Sequence, residues 1–423
     1  MRALRLRPVR PTGWKRLCGE LLQGEFIRLF RKIPTTAVPL SILEVLKGFK
    51  SFFGNKSYIK EFESNFAQYM GSNHAFSFNC CTASIYIFLK ALKKLSNKQE
   101  VVIPAYTVPT LVLPIRKAGL KPVLCESSLD TFTMDFERLP DVINDNTLCV
   151  LPIYHFGFPY EIDLPLKLAE EKGFFVLEDT AQAPGAMLDG KKAGTLGDAG
   201  CFSLCRGKNL STFSGGMLVT NSDELASLIR EERDLLPGQK FSFEITVPLI
   251  LTAYSLATRP VIYGSFYKLI SPFKHTTVHD SFESKLYSNF QAIIGLGLLD
   301  KLDEFNAIRL KKGMALYNAL RDNEHIMLPG ITKDSTPVFN HFPVVFKEIK
   351  TMEKVREELW NKGIDTGRMY LKPVHHLYDL GYDRQKELFP KALYIAERLI
   401  TVPSHPYLDG NSIEKIIGVF KSL

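Results

Sequence analysis

The order of apolar segments predicts an α/β fold: a large domain on a mainly parallel mixed sheet covered by helices, then a smaller C-terminal α/β domain. Short runs rich in Val, Ile, Phe and Cys alternate with helical stretches from about residue 73 to 235. The runs are apolar throughout, as strands buried on both faces are. A chain of 423 residues also exceeds what one simple core organises, so two domains with appended segments are expected.

Residues 1–35 read as a basic amphipathic extension. Nine Lys and Arg stand in residues 1–32 against Glu20 and Glu25, nearly the whole net charge of +8. The body is close to neutral, which argues against a general nucleic-acid surface. Leu22, Phe26, Ile27 and Phe30 form one helical face beside Arg28, Arg31 and Lys32. Such a face suits an anionic membrane surface or packing within the protein. The basic start is not followed by an apolar run of the secretory kind. Seven cysteines, without CxxC or Cys/His ligand spacing, point to reduced thiols in the cytoplasm and to no metal site.

The large domain is expected over 36–237. Ile59, Phe62, Phe66 and Met70 recur at helical spacing and stop at Gly71. The strands are HAFSF, VVIPAY, KPVLCE, LCVLPIY, FFVLED, GCFSLC and GMLVTN. TASIYIFLKALKKL, TLVLPIRKAG, LPLKLAEEKG and SDELASLIREERDLL are the helices between and after them. An apolar insertion follows at 238–285. Its uncharged run, Ile245 to Thr258, is fourteen residues, short of the about 20 that span a bilayer. It is expected to be a buried helical hairpin or a segment facing a membrane or partner. The small domain, 286–423, opens on QAIIGLGLLDKLDEFNAIRLKKGMALYNAL, read as one long helix. HFPVVF then reads as a strand, and TMEKVREELWNKG as a helix ending at Gly363.

Asp179 ends the strand FFVLED, at the carboxyl end of a sheet strand where α/β proteins place ligands, although an Asp there also serves as a turn cap. Lys208 follows after a loop and another strand, and taken alone it reads as a surface charge. With Ser203 and the helix start at Thr82 and Ala83, these are the parts a pyridoxal phosphate site needs. A carboxylate keeps the ring nitrogen protonated, and an amine holds the carbonyl carbon. A hydroxyl and helix N-terminal amides take the phosphate.

The chain resembles the DegT/DnrJ/EryC1/StrS family of pyridoxal-phosphate-dependent sugar aminotransferases, of fold type I. The likeness runs from about residue 37 to 423 with a break at about 238–282. It rests on YIKEFESNFAQYMG, VVIPAYTVPT, LPIYHFGFPYEID, VLEDTAQAPGA, KKAGTLGDAGCFSL, KNLSTFSGGMLVTN, QAIIGLGLLDKLDEF and LITVPSHPYL, in order. The resemblance implies Lys208 as the catalytic, cofactor-holding lysine and Asp179 as the partner of the ring nitrogen. It places Gln182 by the ring and its 3-hydroxyl, and gives the phosphate to Ser203 with the backbone of Thr82 and Ala83. His155 falls in a family block, and His375 and Tyr106 are the candidate substrate contacts, His375 at the substrate mouth. Members that dehydrate sugars with the same cofactor carry His where Lys208 stands. Amino transfer is therefore implied, from an amino acid donor such as glutamate to a keto group on a nucleotide-linked sugar or a lipid-associated acceptor. Another pyridoxal phosphate chemistry (dehydratase or lyase) and a non-catalytic membrane-associated member are the competing readings. The likeness also implies a homodimer, and the two apolar appendages leave peripheral attachment to the cytoplasmic membrane as an alternative to internal packing.

Four positions depart from the family pattern. Val108 stands where an aromatic ring usually covers the cofactor. Ser214 replaces the acid of a GEGG turn. Ser284 and Leu286 stand where an Asn and an Arg usually reach a neighbouring subunit's site. These departures bear on substrate recognition more than on the cofactor.

Overall fold

The computed structural model describes residues 31–37, 40–53, 57–267, 278–383 and 386–423, so the amphipathic face predicted at 22–30 lies outside the described residues. In chain order the strands of the large lobe are β1 (His74–Phe78), β2 (Glu100–Pro104), β3 (Lys121–Cys125), β4 (Thr147–Val150) and β5 (Phe175–Asp179). They continue with β6 (Met187–Leu188), β7 (Lys191–Lys192), β8 (Ala199–Ser203) and β9 (Gly216–Thr220). The main sheet has the order β1-β9-β8-β5-β4-β2-β3. Strands β8, β5, β4, β2 and β3 are parallel, and β9 runs antiparallel between β1 and β8. This is the mainly parallel mixed sheet that the apolar runs predict.

The continuous apolar character of the strands has a direct cause, because both faces are covered. On one face, Cys201 and Leu218 join Ile85, Phe88 and Leu92 of helix Cys81–Leu95. On the other, Phe202, Met217 and Val219 meet Phe62, Phe66 and Met70 of helix Tyr58–Met70. That helix ends where the sequence places its stop, at Gly71 with φ +73°, a conformation glycine adopts without a Cβ clash. Behind the large lobe, β10 (Ile326–Met327), β12 (Phe342–Phe346) and β13 (Leu399–Val402) form a small antiparallel sheet. Between β10 and β12 in the chain, β11 (Ser335–Thr336) reaches back to pair with β6 of the β6–β7 hairpin.

Two expectations change. The long helix predicted from residue 291 to 320 is two, Asn289–Leu299 and Leu302–Leu320, broken at Asp300 and Lys301. Phe290, Ile294 and Leu298 serve the core under helix Tyr58–Met70, whereas Leu316 and Leu320 serve the core shared with the small sheet. One straight axis cannot face both, so the chain turns. The insertion forms helix Phe241–Ala257, with Pro248 inside it, and the short helix Pro260–Ser265. It is neither fully buried nor detached. Val247 and Leu251 enter the large-lobe core, Ser255 Oγ donates to the Leu40 carbonyl at 2.8 Å, and Tyr263 donates to Asp365. The outer side leaves Phe241, Ile245 and Leu249 exposed, as Leu43 and Leu46 of helix Ile42–Gly48 also are. No helix among the described residues is long and apolar enough to cross a membrane.

Candidate active site

The pair Glu178–Asp179 illustrates how a strand sorts its side chains. Alternation sends the two carboxylates to opposite faces of the sheet. Glu178 is fully buried and accepts the N–H groups of Gly194, Leu196 and Gly197 and the hydroxyl of Tyr154, all within 2.8 Å. It ties down the loop between β7 and β8. Asp179 faces the other way, pairs in register with Cys201, and accepts the Ala181 N–H at 3.0 Å. Burial raises its pKa, opposed by that hydrogen bond and by the charge of Lys208.

Lys208 arrives on the loop after β8 and is partly buried. Desolvation lowers its pKa, while Asp179 pulls the other way, so the two groups lie within electrostatic reach of each other. The loop is held from three directions. Asn340 donates to the Gly207 carbonyl and to Asn209, both at 2.9 Å, and Asn209 donates to Asn306. Gly207, at φ +78°, donates its N–H to the hydroxyl of Tyr254 at 2.9 Å. Tyr254 belongs to the insertion helix, which therefore touches the lysine loop directly. Sequence reading assigned the insertion only an outward or a packing role.

The other end of the candidate site is a helix N-terminus. Helix Cys81–Leu95 leaves its first N–H groups, those of Cys81 and Thr82, without an intrahelical acceptor. The Ala83 N–H already donates to the Cys80 carbonyl at 3.1 Å, which leaves the Thr82 amide the freer of the two predicted donors. Ser203 pairs with Gly216, and partners across an antiparallel pair point to one face. A Cβ on Gly216 would sit 2.5 Å from Cys80 and Cys81 backbone atoms, so that face is the one under the helix start. Ser203, Cys201 and Asp179 therefore share the face onto which the helix opens.

Gln182 is buried and clamped: its oxygen accepts the Phe156 N–H at 3.0 Å, and its amide donates to the Tyr370 hydroxyl at 3.2 Å. Phe156 and Tyr370 both hold positive φ, 61° and 53°, a strain that functional sites concentrate. His155 stacks edgewise between Tyr106 and Tyr370 and bonds the Tyr106 carbonyl at 3.1 Å. Tyr370 escaped sequence reading, since no local pattern marks it.

The two expected substrate contacts are placed elsewhere. Tyr106 is fully buried and donates its hydroxyl to the Met369 carbonyl at 2.7 Å, so it is a wall and does not face a mouth. His375 is 2% exposed, packed against Phe389 and Tyr382 behind that wall, because apolar neighbours surround its turn. Among the departures, Val108 precedes a short turn at Pro109–Leu111. Ser214 keeps its turn without an acid, because Gln291 donates to its carbonyl at 3.0 Å and to its hydroxyl at 3.1 Å. Ser284 lies by Lys117, and Leu286 bridges Phe78 at the end of β1.

Burial also lowers three histidines far below the usual range: His155 to about 4, His341 to about 3 and His405 to about 3. Each stays neutral in the folded protein, while the unfolded chain binds protons below about pH 6.5. Stability is thus full above that pH and is lost as pH falls towards the folded values, by about 2 kcal/mol per histidine near pH 5. Urea unfolding near pH 7.5 and near pH 5 tests this. A midpoint no lower at the acid pH contradicts it.

A lysine within electrostatic reach of a strand-end carboxylate, with a serine under an open helix N-terminus, is the arrangement expected of a pyridoxal-phosphate enzyme of the α/β class. The residues fit that group, since the helix amides and the Asp179–Lys208 pair are what a phosphate and a pyridine ring require. A sequence profile of the DegT/DnrJ/EryC1/StrS aminotransferase family matches residues 41–421. The chain belongs to that family, and its cofactor is pyridoxal phosphate. It is 28% identical over 370 residues to GDP-perosamine synthase of Caulobacter vibrioides, covering 85% of this chain and 88% of that protein. It is 25% identical to GDP-4-keto-6-deoxy-D-mannose 3-dehydratase of Yersinia pseudotuberculosis, covering 73% and 75%. In fold it is similar to the aminotransferase TlmJ of Streptoalloteichus hindustanus, with TM-score 0.74 and 23% identity over 92% of this chain and 98% of that one.

Proposed function

We propose that this enzyme moves an amino group from an amino acid donor, glutamate, to the keto group of a nucleotide-linked sugar. The observation that carries the reading is Lys208, a desolvated amine within electrostatic reach of the buried Asp179. Bound pyridoxal phosphate supplies an electron sink for the pair left on the donor's α-carbon. Asp179 holds a proton on the ring nitrogen. Lys208 Nζ, whose pKa desolvation lowers, would accept a proton from carbon and return it to a neighbouring one. The Thr82 N–H and the Ser203 hydroxyl bind phosphate, and Gln182, braced by Phe156 and Tyr370, orients the ring's oxygen edge. His155 stays neutral through burial and backs the pocket wall.

Of the two acceptors left open by the sequence, the nucleotide-linked sugar is favoured by a relative named for a GDP-linked aminosugar. One relative is named as a dehydratase, but the lysine at position 208 favours amination, since the dehydrating pattern carries histidine there. The test is a half-reaction. The purified yellow protein, mixed with glutamate, is expected to lose its visible band and release one equivalent of 2-oxoglutarate. Unchanged absorbance, with no 2-oxoglutarate, would sink the glutamate reading.

A further inference from the structure

Two groups of side chains among the described residues are compact enough to chelate a metal ion. Cys81, Asp179 and Cys201 belong to the cofactor pocket. His375, His376 and Glu387 lie apart from it, and the amino transfer uses none of them. His375 and His376 end the short turn Val374–His376, and Glu387 stands just ahead of helix Pro390–Arg398.

The geometry is that of a ligand set. His376 Nε2 lies 2.9 Å from Glu387 Oε2, and His375 Nε2 lies 3.2 Å from Oε1. For bonds of roughly 2.0–2.2 Å at tetrahedral angles, ligand atoms stand about 3.3–3.5 Å apart, so small shifts would admit an ion. The carboxylate is aimed by the Phe389 N–H, which donates to Oε1 at 2.9 Å. An ion pair with Glu387 reaches both imidazoles through Nε2 but leaves the buried Nδ1 of His375 unsatisfied. That imidazole is 2% exposed, yet neither ring nitrogen has a hydrogen-bond partner of proper geometry among the described residues. Buried polar atoms left so are rare and call for an explanation. The side chains of His376 and Glu387 are 29% and 26% exposed, which opens the group to solvent on one side.

We propose that His375, His376 and Glu387 bind a divalent transition-metal ion of the zinc type, with water in the remaining position. Two imidazoles and one carboxylate with an open side are a donor set that zinc accepts. The ion would clip the turn at 374–376 to the segment before helix Pro390–Arg398. The Val374 N–H donates to the Ala105 carbonyl at 3.0 Å, so the clip would brace the backbone that carries Tyr106 into the site wall. Cysteine spacing could not reveal such a site, since its ligands are a histidine pair and a glutamate further along the chain.

The test uses the full-length holoenzyme, free of any affinity tag and stripped with chelator. Zinc titration against a chromophoric chelator is expected to show one equivalent bound. His376→Ala and Glu387→Gln are each expected to weaken it by more than the about 10–100-fold that loss of a supporting partner costs. Cobalt substitution should give a visible band that both variants lose, while the cofactor's own band persists and reports that they fold. Absence of stoichiometric binding would leave only a histidine–glutamate ion pair and overturn the proposal. So would binding that survives both substitutions. Neither outcome bears on amino transfer.

Discussion

Lys208→Ala is expected to purify colourless and to lose amino transfer by at least about 10²–10⁴-fold, the contribution of a positioned proton-transfer group. On the proposed reading, the substitution removes both the covalent hold on the cofactor and a partly buried amine within electrostatic reach of Asp179. Because Lys208 sits where desolvation disfavours its charge, its removal is expected to leave the melting temperature of the cofactor-free protein unchanged or raised. An absorption spectrum, a single-turnover assay with glutamate and a melting curve separate these effects. A variant that stays yellow and turns over would move the chemistry to another residue.

Asp179→Asn is expected to act on cofactor retention before anything else. Removing one member of a buried charge pair costs about 3–5 kcal/mol, a factor of roughly 10² to several times 10³ in the dissociation constant. Equilibrium dialysis of the cofactor measures it, and the residual enzyme should show a lower kcat even when saturated. Glu178→Gln, one residue away on the opposite face, serves as the contrast. It disturbs a carboxylate that accepts four hydrogen bonds, and is expected to lower the unfolding midpoint with a smaller effect on cofactor affinity. Equal effects of the two substitutions on cofactor retention would contradict the division of labour between the faces.

The departures from the family pattern take on a physical meaning in this fold. Ser214 stands where an acid is usual, and the amide of Gln291, from the helix after the insertion, holds that turn by donating to the Thr212 carbonyl and to the Ser214 carbonyl and hydroxyl. The insertion is built into the same region: Tyr254 meets Phe213 edge to face and holds the amide before Lys208. The sequence left this apolar segment open between packing inward and facing a membrane or partner. One of its partners is the lysine loop.

Local patterns determined much of this protein. Continuous apolar runs marked the buried strands, and Gly71 marked a helix end that needs a positive φ. Asp179 and Lys208 could be singled out only once the strand-end carboxylate, Ser203 and the helix start at Thr82 stood in order and the family resemblance gave them roles. Tertiary structure alone decided the rest. It gave Asp179 and Glu178, which strand alternation already sends to opposite faces, their different partners. It brought Tyr370 onto Gln182 across 188 residues, and buried both candidate substrate contacts, Tyr106 and His375, the latter expected at the substrate mouth. It gathered His375, His376 and Glu387 into one cluster. The physical reason is reach. Strand period, helix caps and turn glycines act over a few residues, whereas burial and hydrogen-bond partners depend on which distant segments the packed core brings together.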